Sequence, residues 1–140
     1  MPSKLVRIGL AYLAIGAGSV GVWATVAPRS WFDNYPGGPF TAWAAAHPPY
    51  NEHLVLDVGA LYLGFTILFL WALWRPSPAL VVPVAATWVV VQLPHLVFHV
   101  QHDDGLPSGD RIAQTGGLVG FVVVAALVAW LSGRARSGTA

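Results

Sequence analysis

Gln92, His95, His99 and His102 recur at intervals of three and four residues, so on a helix turning ~100° per residue they form one polar stripe. His53 and Asp57 are four residues apart and share a face of another helix, and Asp110 and Gln114 repeat that spacing. Imidazole and carboxylate together suit zinc, iron, copper or manganese. Two ligands four apart on a helix make a usual half-site. One axial histidine from each of two helices would instead hold haem b. A carboxylate beside an imidazole also orients it and raises its basicity, and such a pair titrates near neutral pH, which suits proton handling. The candidate metal ligands are therefore His53, Asp57, His95 and His99, with Glu52, Gln92, His102, Asp110 and Gln114 around them or at the entrance.

The same groups have a plainer reading. Polar side chains tie helices together in membrane bundles without any chemistry. His102, Asp103 and Asp104 also read as the solvated end of a helix, and His47 in AHPPY reads as a loop residue. GAGSVG (16–21) and QTGGLVG (114–120) follow no strand, so they are small-residue patches for close helix packing rather than phosphate cradles.

The elements that carry these residues are set by hydropathy. Of 140 residues, 56% are hydrophobic and 9% charged, and mean hydropathy is +0.62, a composition that a bilayer accommodates and a soluble surface does not. Apolar runs at about 5–27, 54–74, 79–102 and 112–131 are each long enough, at ~1.5 Å per residue, to cross a ~30 Å core. The expected fold is all-α, a polytopic membrane protein built as one domain over 1–140. It is an antiparallel four-helix transmembrane bundle with an interfacial loop or helix between its first two spans. Pro94 frees the carbonyl of Val90 and is a point where the third span can kink. A competing reading treats the first span as a cleaved signal peptide, since it has a basic start and a small-residue end.

Lys4, Arg7, Arg75, Arg134 and Arg136 fall on one side of a four-span arrangement, whereas the other side is mainly acidic. Cytoplasmic termini in the plasma membrane follow, and all five histidines lie towards the extracytoplasmic side. The first loop on that side holds Trp31, Phe32, Tyr35, Phe40, Trp43 and Tyr50, residue types that settle at headgroup depth. They imply an interfacial helix around FTAWAAA (40–46) that either anchors the bundle or lids it, while the basic tail from 132 reads as disordered. With no cysteine there is no thiolate chemistry, and with net charge +1 and no basic patch no nucleic-acid partner is expected.

PPYNEHLVLDVGALYLG and LPHLVFHVQHDD resemble stretches of a group of small actinobacterial membrane proteins of unassigned function, across about the middle half of the chain. The resemblance implies that function rests on Glu52, His53, Asp57, His95, His99 and His102, and brings no reaction with it. A looser similarity to DoxX-like four-helix proteins concerns architecture alone. Three functions fit these residues. The first is a transition-metal or haem site with a redox role. The second is a non-catalytic subunit in a homo-oligomer or larger membrane complex, and the third is a proton-coupled carrier of a small solute.

Overall fold

Four apolar runs become four long helices because a chain in hydrocarbon must satisfy every backbone N–H and C=O internally. The computed structural model describes residues 4–102 and 105–137, with side chains to residue 134. It contains α1 (Lys4–Val26), α2 (Pro28–Asn34), α3 (Glu52–Trp74), α4 (Pro78–Gln101) and α5 (Ser108–Ser137). The spans expected from hydropathy are α1, α3, α4 and α5 through Arg134. Each is apolar and long enough to cross a bilayer, and exposed side chains such as Ile15, Ile67, Val90 and Ile112 give the bundle a lipid-facing surface.

Three boundaries differ from the sequence reading. The short helix in the first connection lies at Pro28–Asn34, where proline at the first helical position fits without losing a bond, and 43–46 is only a turn. The Pro36–Gly38 stretch bends the chain first, with Gly37 and Gly38 at φ of 83° and 66°, a region open to glycine. α3 starts at Glu52 because the Asn51 side chain accepts from the Leu54 N–H at 3.1 Å. The basic tail expected to be disordered instead continues α5 to Ser137, and Arg134 lies over the Trp130 ring at 4.4 Å. Asp103, Asp104 and the last three residues lie outside the described residues. α4 runs unbroken through Pro83 and Pro94.

Packing sets how each helix is rotated, and therefore where its polar residues point. α1 buries Val6, Leu10, Leu13, Ala17, Val20 and Ala24, which recur every three or four residues along one seam. Gly21 and Gly59 let α1 and α3 touch: a Cβ on Gly21 would stand 2.8 Å from the Leu63 nitrogen, and one on Gly59 would stand 3.0 Å from that of Thr25. Gly16 of GAGSVG faces the Phe121 ring of α5, so this patch packs helices as expected. QTGGLVG does so only at its end: a Cβ on Gly120 would stand 3.0 Å from the Tyr12 hydroxyl of α1, whereas one on Gly116 or Gly117 would meet nothing within 4 Å. At mid-bundle, fully buried Trp88 meets Tyr62, Phe65, Phe69 and Phe121 edge-on, with centroids 4.8–5.9 Å apart.

Candidate functional site

The polar stripe on α4 turns inward only in part. Gln92 is fully buried, and its Oε1 accepts from the Tyr62 hydroxyl at 3.2 Å. One and two turns further on, His95 and His99 are half-buried, with ring centroids 4.7 Å apart. His102 leaves the stripe: it is exposed, stacks on Phe98 at 4.4 Å, and its Nδ1 lies 2.9 Å from the Phe98 carbonyl oxygen. In its place the fold delivers His47 from the first connection, 5.2 Å from His99 and edge-on to Phe98 at 5.5 Å. The histidine grouping is thus His47, His95 and His99, with one member supplied by a residue that reads in sequence as plain loop.

His53 and Asp57 do not join it. They pair at 2.9 Å between Nδ1 and Oδ2, but their side chains are 85% and 64% exposed, on the outer surface of α3. The reason is rotational. α3 buries Val55, Gly59, Tyr62, Phe65, Phe69 and Ala72, and the face holding residues 53 and 57 is turned away from that seam. Glu52 is exposed as well. Among the described residues, no group of three or more histidine, aspartate or glutamate side chains is arranged to hold a metal ion.

His47, His95 and His99 border a cavity of about 480 Å³ near the end of the bundle where the 27–51 connection lies. Its walls come from the connection (Trp31, Phe32, Tyr35, Trp43), from Phe98 and from Phe121, and among the described residues its lining includes no lysine, arginine, aspartate or glutamate. The aromatics expected to settle at an interface therefore do something more specific. They roof the cavity and contact each other, with Trp31 and Tyr35 centroids 5.2 Å apart and Tyr35 and Trp43 6.0 Å apart. Burial pushes the Tyr35 phenol above its ordinary pKa, which keeps it neutral.

The roof is fastened at both sides. Asp110, in the first turn of α5, is 7% exposed and accepts through one oxygen from the Trp43 indole at 2.6 Å, the Thr41 N–H at 2.9 Å and the Thr41 hydroxyl at 3.2 Å. On the opposite side, the Trp23 indole donates to Ser30 at 3.2 Å, and the Arg29–Asp33 pair carries a guanidinium lying 4.9 Å from the centre of the Tyr50 ring. Asp110 is thus a latch for the roof and does not line the cavity, whereas its helix neighbour Gln114 does. Compared with protein families, curated proteins and solved structures, the chain matches none. Its function has to be argued from the cavity.

Gln114, Trp31 and His47 line the cavity, while Gln114 Oε1, Trp31 Nε1 and His47 Nε2 are themselves buried with no hydrogen-bond partner among the described residues. Sequence reasoning found His95, His99 and Gln114 from their spacing. It named Trp31 and Trp43 only as residues that anchor or lid the bundle, and His47 only as a loop residue, without joining them to the histidines of α4.

Proposed function

We propose that this multi-span membrane protein binds a lipid-soluble small molecule in the cavity beneath the 27–51 roof. The carrying observation is the cavity itself: about 480 Å³, aromatic-walled, free of formal carboxylate or ammonium charge, and provided with a few convergent polar groups. The shared side of Lys4, Arg7, Arg75 and Arg134 supports cytoplasmic termini, with the cavity at the extracytoplasmic face of the plasma membrane. Photolabelling in lipid nanodiscs with an alkyl diazirine tests the reading. Labelling of Trp31, Tyr35, Phe98 or Leu118 that saturates, and that excess unreactive lipophile removes, is the expected result. Uniform, non-saturable labelling shared with lipid-facing Ile15 and Ile67 would remove it.

The metal reading narrows to His53 and Asp57, two ligands four apart whose coordination would have to be completed from a second chain. A redox role for metal or haem at His95 and His99 has no further observation in its favour.

A second reading, assembly, rests on the outer face of α3. His53, Asp57, Ala60, Gly64, Ile67, Trp71 and Trp74 are all exposed and alternate at four- and three-residue spacing, the repeat of a helix-packing seam. Glycine in a helix interior costs ~1 kcal/mol relative to alanine, and nothing within the chain requires it at 64, since a Cβ there meets nothing within 4 Å. We propose that a second copy packs on this face. A two-fold axis along the bilayer normal would set this face against its own copy in register, with Ala60 and Gly64 allowing close approach of the two helices.

A further inference from the structure

We propose that the cavity is filled from the side, by an acyl chain of a bilayer lipid that enters between α3 and α4 near the roof. The inference rests on the cavity reading and adds the class of ligand and its route. Leu54 of α3 and Phe98 of α4 both border the cavity, yet they are 61% and 45% exposed. Two large apolar side chains on neighbouring helices that line a cavity and stay this accessible mark an opening in its wall. Leu61, two turns deeper than Leu54, and Pro94, one turn deeper than Phe98, are exposed without lining the cavity, so the opening gives onto an apolar surface that lipid covers.

Helix packing puts the opening at this seam. α1 packs closely on α3 through Gly21 and Gly59, and α4 packs closely on α5, whereas α3 meets α4 least of the neighbouring spans. Where α3 and α4 do meet, Trp88 stands among Tyr62, Phe65 and Phe69, and Tyr62 donates to Gln92. Those contacts lie at the floor of the cavity or further from the roof, which leaves the seam unsealed above them. A ligand arriving from water has to displace a roof bonded to α5 through Asp110 and to α1 through Trp23 and Ser30; a chain already in the bilayer does not. The lining is also graded as a lipid is. His47, Asn51 and His99 stand at the roof end, and Val58, Leu118 and Phe121 lie deeper, matching a polar ester at the interface and hydrocarbon below it.

The test uses the full chain in phosphatidylcholine nanodiscs, where a minor fraction of the lipid carries a diazirine at the end of one acyl chain. Adducts on Val20 and Leu118, which line the cavity and are 6% and 9% exposed, are read against adducts on lipid-facing Ile15 and Ile67. The anchored chain is expected to label both sets. Leu54→Trp narrows the opening and should lower the Val20 adduct several-fold while the Ile15 adduct stays constant. Leu54→Cys combined with Phe98→Cys should label Val20 as the parent does, and lose that adduct several-fold once a bifunctional maleimide joins the two. Anchored diazirine that never reaches Val20 or Leu118, while a free alkyl diazirine labels them saturably, overturns the inference and leaves the cavity reading in place. So does anchored labelling that neither closure reduces. The first of these outcomes needs no variant, so it decides the matter even if the substituted proteins fail to fold. Absence of saturable cavity labelling by both diazirines removes the cavity reading, and the inference falls with it.

Discussion

The indole N–H of Trp43 donates to Asp110 Oδ1 at 2.6 Å, joining residues 67 positions apart across the mouth of the cavity. Asp110 is 7% exposed in the first turn of α5, and one of its oxygens accepts three hydrogen bonds from a single loop, which makes it a fastening. Asp110→Ala removes it. Loss of these hydrogen bonds to a charged group should raise the opening equilibrium of the roof by roughly tenfold. Hydrogen exchange at the Trp43 amide, which donates to the Tyr35 carbonyl at 2.7 Å and keeps that acceptor in the variant, reads this. Asp110→Asn keeps an acceptor and should fall between. Unchanged exchange in the alanine variant would mean that the roof is held from elsewhere.

Glycines that look alike in sequence should respond in opposite ways. Gly21→Ala places a methyl 2.8 Å from backbone on α3, where nothing flexible can yield, and should destabilise the bundle by ~1–3 kcal/mol. Gly64→Ala enters open space and should leave the fold as stable or slightly firmer, by up to ~1 kcal/mol. Unfolding in detergent mixtures compares the two, and equal losses would contradict the close approach of α1 to α3.

Absence of cysteine makes the proposed dimer easy to probe. A single cysteine at Ile67, on the exposed α3 seam, should form a disulfide-linked dimer in membranes under mild oxidant. One at Ile15, equally lipid-facing but on α1, should not. Gly64→Leu fills the open position on this face and should reduce the Ile67 cross-link several-fold. Equal cross-linking from both positions would mean random collision rather than a specific face.

Orientation has its own readout. Cysteines placed at exposed Pro39 and Ser77 lie in connections at opposite ends of the bundle. In intact cells a membrane-impermeant maleimide should label Pro39→Cys and spare Ser77→Cys until the membrane is opened. The reverse pattern would put the cavity on the cytoplasmic side.

Much of this architecture is legible locally, because whether a segment spans a bilayer depends on its own length and apolarity. The four spans, the arc of Gln92, His95 and His99, and the helix-packing role of GAGSVG need no partner to be seen. The direction in which a stripe faces is another matter. His53 and Asp57 share a face as surely as His95 and His99 do, yet α3 is rotated by the contact of Gly21 with Leu63 and of Gly59 with Thr25, and carries its pair outward.

Rotation about a helix axis is decided by which surfaces interlock, a property of two chains of residues and not of one. The gathering of His47 with His95 and His99, and the closing of Trp43 onto Asp110, depend likewise on a connection folding back over the bundle. Sequence alone determined that polar groups sit near one end of four membrane helices. Tertiary structure decided which of them share a cavity, because burial is assigned by packing and spacing only proposes it.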